Sequence, residues 1–124
     1  MEEKETFTFE GKTYKVFTVD LHGRQWKLIL KQEKYLHGDG LAVKIYDLDD
    51  EEGDGNILPE PFTSATVNLG FAPGPDLAFA DTNNNPWLPK FLRENKLARP
   101  TGDLCPSGYC MYPLYKWHTD KFTE

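Results

Sequence analysis

The residues whose types could carry chemistry in this 124-residue chain are two cysteines, three histidines and a run of acids. Cys105 and Cys110 stand in the segment CPSGYC. A four-ligand zinc site would need two partners from His22, His37 and His118, and none lies at a ribbon or finger spacing. A thiolate at Cys110 with His118 as its base fails on reach. If one strand holds both, about eight residues at ~3.3 Å each set them roughly 26 Å apart. His22 and His37 stand beside or near glycine in turn sequences, where a lone histidine serves a turn more often than catalysis. The plainer reading puts Cys105 at a loop end and Cys110 as a small buried residue on a strand. Ser64 and Ser107 both lack the G-x-S-x-G frame of a nucleophile elbow. HGDG and EGDG are too short to cradle a phosphate, and neither opens a helix. No metal, cofactor or catalytic set is expected, and an enzyme using Cys110 or a histidine is the weakest reading.

Asp47, Asp49, Asp50, Glu51, Glu52 and Asp54 fall within eight residues without a base. They account for the whole net charge of −6, because 14 acids and 14 bases remain without them. An EF-hand register puts Asp50, Glu52, Asp54 and Gly55 at the first, third, fifth and sixth places, but the twelfth place is then Pro61 where a bidentate Glu is required. The flanks read as a strand and a proline segment, so a solvated acidic loop is expected. A neutral remainder also argues against direct nucleic-acid binding, which calls for a basic stripe or patch.

The last candidate for chemistry of recognition is aromatic. Tyr109, Met111, Pro113, Tyr115 and Trp117 alternate with Cys110, Tyr112, Leu114 and Lys116 along one segment. Both faces covered would make this core. Pro113 argues for an edge or a bulge, where some rings stay exposed. Exposed Tyr and Trp are rigid contact area and are enriched in binding hot spots. Asn83, Asn84, Asn85 and Trp87 precede or open a helix that should lie beside this strand. Together with Tyr109, Tyr112 and Tyr115 they form the expected partner-binding surface.

The elements that would position these residues read as a meander. Thr6 to Glu10 alternates, Gly11-Lys12 turns, and the stretch from Thr13 to Asp20 switches parity between Val16 and Phe17, as a bulge or a doubly covered strand would. His22-Gly23 makes a second turn. Arg24 to Tyr35 points Trp26, Leu28 and Leu30 inward, and Leu41 to Asp47 alternates Leu41, Val43 and Ile45 with Lys44 and Tyr46. Thr63 to Leu69 and Leu77 to Ala80 are shorter strands. Asn85 before Pro86 suits a helix cap, Leu88, Phe91 and Leu92 give the stripe that docks a helix on a sheet, and Asn95 can close it. A Gly/Pro loop then leads to the last strand, Tyr109 to Trp117. The fold class is α+β: a single domain over residues 1–124, with an antiparallel meander sheet of five to seven strands. One short helix packs on the face carrying Trp26, Leu28 and Leu30, before the last strand.

Composition agrees with one self-sufficient core. Apolar residues are 39%, but three tryptophans, six tyrosines and eight phenylalanines each bury a large area. MEEKETFTF has acids where a signal peptide needs a basic end, no apolar run reaches the ~20 residues of a membrane span, and two cysteines suit a reducing compartment. A cytoplasmic protein is expected, monomeric or dimerised through an edge strand.

The chain resembles a family of small uncharacterised bacterial proteins often carried on mobile elements of gut bacteria. The resemblance lies in Asp81, Thr82, Asn83 and Asn84 before the helix, then Thr101-Gly102, then Ser107, Gly108, Tyr109 and Cys110, and finally Tyr112, Pro113, Leu114 and Tyr115. It covers the C-terminal third and implies a domain with no assigned activity and no catalytic residues. The leading expectation is a non-enzymatic accessory or interaction protein that binds an unknown protein partner. A second is an inhibitor of a host nucleic-acid-directed defence system, its acidic loop occupying a basic groove.

Overall fold

Glu10-Gly11 and His22-Gly23 fix the first two hairpins, and both residues of each pair have positive φ, as a type I′ turn demands. A computed structural model describes residues 5–38, 40–48 and 58–124. The first turn joins β1 (Thr6–Phe9) to β2 (Lys12–Lys15), one residue earlier than its sequence suggests, with Phe9 opposite Lys12. The second joins β3 (Phe17–Leu21) to the long β4 (Arg24–Lys34). Then come β5 (Leu41–Asp47), β6 (Glu60–Ser64), β7 (Thr66–Val67) and β8 (Leu77–Ala80). They are followed by α1 (Leu88–Glu94), β9 (Ala98–Ser107) and β10 (Cys110–Trp117).

The single meander is corrected to three antiparallel sheets, ordered β1-β2, β3-β4-β5-β6 and β7-β8-β10-β9. Two breaks in the chain cause this. The parity switch before Phe17 is a true strand end: β1-β2 turns away and lays Tyr14, Phe7 and Phe9 against Ile29 and Leu48. Ala65, fully buried, is the second break. Its N–H donates to Val43 O in one sheet at 2.9 Å, and its carbonyl accepts from the Asp81 N–H beside the other, also at 2.9 Å. Thr63 to Leu69 is therefore two short strands in two sheets. Side chains stitch the step, since Thr66 Oγ1 accepts from the Val43 N–H at 3.1 Å and Ser64 Oγ donates to Thr66 O at 2.8 Å.

The central run Leu28-Ile29-Leu30 shows why β4 carries no simple alternation: it is covered on both faces. Leu28 and Leu30 join the main core with Val43, Ile45, Leu88, Phe91 and Leu92, so the helix packs where the sequence stripe places it. Ile29 faces the β1-β2 side. Burying each such aliphatic side chain contributes about 1.5–3 kcal/mol. The helix begins at Leu88, with Pro89 at its second position, where a missing N–H costs no helical bond. Asn85 is not its cap, because Trp87 holds that position and makes no side-chain capping bond. At the other end the Lys96 N–H donates to Arg93 O and the Leu97 N–H to Leu92 O, a Schellman closure with Lys96 at φ 55°. The C-terminal segment bonds back to β2 through Lys15 N–H to Phe122 O and Glu124 N–H to Thr13 O.

Asp47 also departs from its expected role. It is the last residue of β5, opposite Leu28 and Glu60, and only 8% exposed, so pairing inside the sheet removes it from the solvated loop. Asp49, Asp50, Glu51, Glu52 and Asp54 lie outside the described residues.

Candidate functional site

The expected Gly/Pro loop after the helix is the ten-residue strand β9, which forms a hairpin with β10. Ser107 faces Cys110 across a two-residue turn, in which Gly108 has φ 62° and Tyr109 does not share it. That is the pattern of a II′ turn, which needs glycine first. Gly108 followed by any residue between two runs was the available signal. Pro100, Gly102 and Pro106 masked it, because an edge strand tolerates prolines that a central strand would not. Gly102 sits in an irregularity where Pro113 faces Leu104 but Tyr115 faces Pro100, and Thr101 Oγ1 donates to Leu114 O there at 3.1 Å.

β10 is not an edge: β8 pairs with it at Leu114, Tyr115 and Lys116, and β9 lines its other side. Pro113 lies at the irregularity, just beyond the residues of β10 that pair with β8, a place where a strand tolerates proline. Past that point the hairpin continues as a two-stranded arm. At its base Ala98, Tyr115 and Trp117 are core, with Trp117 donating its indole N–H to Ala78 O at 3.1 Å. Along the outer half Leu104, Met111 and Tyr109 are exposed, Tyr109 fully at the tip. Leu104 opposite Pro113 and Pro106 opposite Met111 extend outward the same β10 face that carries Tyr115 and Trp117. The apolar side of the sheet thus runs past the core into solvent.

The expected partner-binding residues divide accordingly. Asn83 and Asn84 are exposed, and Asn84 caps Asp81 with its N–H at 3.2 Å and its side-chain amide at 2.9 Å. Asn85 is 4% exposed and wholly committed inside. Its amide donates to Ser64 O and Asp81 O, and its Oδ1 accepts from Thr63 Oγ1. Trp87 is half-buried in a row of rings, Trp26, Phe62, Trp87 and Phe91, with centroids 5.0 to 6.2 Å apart. Tyr115 is buried at 6%. Asn85 and Tyr115 therefore drop out of the outer surface. Tyr112 is half-buried and meets the Asp81 turn, since the β8-β10 register continued two residues places Asp81 opposite it. Burial pushes the Tyr112 phenol up, and the neighbouring Cys110 and Asp81 push the same way. Burial likewise raises Tyr35, whose hydroxyl lies 2.7 Å from Thr66 Oγ1.

Both cysteines are free and half-buried on the arm. Cys105 faces Tyr112 and Cys110 faces Ser107, so the two are diagonal neighbours on one face, about 7–8 Å apart, which exceeds the usual Cα span of a disulfide. His22 is in its turn and His37 is exposed beside Gly38. His118 follows β10 at the end opposite Cys110. Among the described residues no group of three or more His, Cys, Asp or Glu could hold a metal ion, and no helix is long and apolar enough to cross a membrane. Arg93, Lys96 and Arg99 were passed over in the sequence. Their three-residue spacing straddles a helix end, and only the fold brings them to one cleft.

Two packed four-stranded sheets, a helix of about two turns and a projecting hairpin with exposed apolar residues define a small α+β domain. The sequence of residues 29–124 matches the family Domain of unknown function (DUF4313), and the chain belongs to that family. The match leaves β1, β2, β3 and the start of β4 outside and takes in the whole β7-β8-β10-β9 sheet. No curated protein matches the chain, and no solved structure does.

Proposed function

We propose that this is a non-enzymatic interaction protein that grips a protein partner with the outer half of the β9-β10 arm. The observation that carries the reading is the exposure of Leu104, Tyr109 and Met111 on a hairpin whose base buries Ala98, Tyr115 and Trp117. A rigid base holds the arm, so its apolar residues are presented without the entropy cost of ordering a loop. Among the described residues β9 has a strand neighbour on one side only, and an extended segment of the partner adds there by backbone hydrogen bonds while Leu104 and Met111 fill its side-chain contacts. Asn83, Asn84 and Tyr112 supply the polar rim. Pro100 and Pro106 break the row of edge N–H groups, which limits indiscriminate pairing. The same proposal holds that the protein acts in the bacterial cytoplasm, and that its gene travels on mobile elements, which the neighbouring genes test.

Photo-crosslinkers placed at Tyr109 and Leu104 in the native cell test the arm, with Lys12 as the control position. A discrete adduct from both arm positions, lost in a Met111→Asp variant that stays folded, is the expected result. A single adduct of twice the chain's mass identifies the partner as a second copy. Equal adducts from Lys12, or none from the arm, rule the surface out.

A further inference from the structure

A second place in the fold, independent of the arm, has the makings of a ligand site. Between the end of α1 and the base of the β9-β10 hairpin lies a cleft of about 340 Å³, at the lower end of the range for small-molecule sites. Arg93, Lys96, Arg99 and His118 line it, and among the described residues no acidic side chain does. Pro89, Pro100 and the ring of Tyr115 supply apolar walls. The ion pairs formed among the described residues use Lys27, Lys31 and Lys90, so Arg93, Lys96 and Arg99 have no carboxylate partner there.

Tyr115 is the second observation. It is 6% exposed, yet its hydroxyl makes no hydrogen bond with any described residue. The ring is buried but the hydroxyl oxygen is not among the buried polar atoms, so it meets solvent. It opens on the cleft, and Arg93 is the charged group that acts on it. Arg93 alone could be ascribed to the helix dipole, which favours a cation in the last turn. Lys96, Arg99 and His118 lie beyond the helix and have no such reason. Lys96 also stands at φ 55° in the closing position where glycine is the usual residue. The backbone would be more comfortable without its side chain.

We propose that this cleft binds a small organic anion, whose phosphate or carboxylate is held by Arg93, Lys96 and Arg99 and accepts a hydrogen bond from Tyr115. The apolar body of the ligand lies against Pro89 and Pro100. Charge-assisted hydrogen bonds of this kind are the strong ones, and Arg presents the planar fork that a carboxylate or phosphate matches. The cleft is too small to take a folded chain, which sets the ligand class.

Phenyl phosphate and benzoate are the probes, with inorganic phosphate and phenol as controls, followed by amide chemical shifts on the full chain. The expected result is saturable binding of one or both aromatic anions, centred on Lys96, Arg99, Tyr115 and His118. Inorganic phosphate should bind more weakly and phenol not at all. Arg99→Gln and Lys96→Gly should each weaken binding about tenfold. Lys96→Gly should leave the thermal midpoint unchanged or raise it, which separates lost binding from lost structure. Tyr115→Phe should weaken binding while keeping the ring in place. The proposal is overturned if no probe saturates by about 10 mM, roughly ten times the 1 mM Kd of a weak ligand. It is equally overturned if the three variants bind as the parent does, or if only vesicles of anionic lipid bind and the small anions do not.

Discussion

Phe91→Ala should be the most costly single change in the helix, and the structure allows its size to be worked out. Phe91 is 4% exposed in the main core. Its ring meets Phe17 edge-on at 6.1 Å and Trp87 at 5.5 Å. Losing the buried side chain removes about 1.5–3 kcal/mol of transfer free energy, and each edge-to-face pair adds about 0.5–1.5 kcal/mol. The sum, roughly 2.5–6 kcal/mol, brackets the 3–5 kcal/mol usual for Phe→Ala in a core. Collapse should recover little, because Phe17 and Trp87 belong to different elements that cannot close the gap together. Equilibrium urea unfolding reads the effect. With a slope of about 1–3 kcal/mol per M, a loss of about 4 kcal/mol moves the midpoint down by about 1–4 M. The control variant changes Asp49, Asp50, Glu51, Glu52 and Asp54 to their amides, which should shift stability by less than about 0.5 kcal/mol. A Phe91→Ala shift under about 1 kcal/mol with the fold retained would refute the core assignment. Early unfolding of the amide variant would refute the view that the acidic run holds nothing together.

Two further outcomes follow from the same structure. Asn85→Ala should cost about 1–3 kcal/mol, since it strands Thr63 Oγ1 and the carbonyls of Ser64 and Asp81 in a buried place; a thermal midpoint equal to the parent's would show that water replaces those bonds. Stability should also fall as pH rises above about 10. Burial raises the phenols of Tyr14, Tyr35 and Tyr115 above 10.0, and the hydrogen bond to Glu10 raises Lys31 above 10.5. A group whose folded pKa is raised contributes fully below its unfolded pKa and loses that contribution on the way up to its folded one. Urea midpoints at pH 9, 10 and 11 check the sign, and a midpoint that holds or rises across that range contradicts it.

What the sequence determined by itself is local. The His22-Gly23 hairpin, the apolar run of β4, the alternation of β5 and the Leu88, Phe91, Leu92 stripe were all legible, and the first hairpin to within one residue, because each rests on a period or turn that a few neighbouring residues set. Tertiary structure decided the rest, and in each case the cause lies far along the chain. β9 is a strand only because β10 supplies its hydrogen-bond partners; on its own ARPTGDLCPS carries the composition of a loop. Ala65 parts the strands into two sheets because Val43 and Asp81 bond to the N–H and the carbonyl of this one residue, from 22 and 16 residues away. Asn85 looked like a cap and became a buried tie once β6 came alongside with Thr63 and Ser64. Tyr109 in the turn and Tyr112 and Tyr115 on β10 end exposed, half-buried and buried, as the cover that β8 and the helix give runs out along the hairpin. The same packing gathers Arg93, Lys96, Arg99 and His118 around one unpartnered hydroxyl. Periodicity tells a residue which way it faces; only the packed fold sets what it faces.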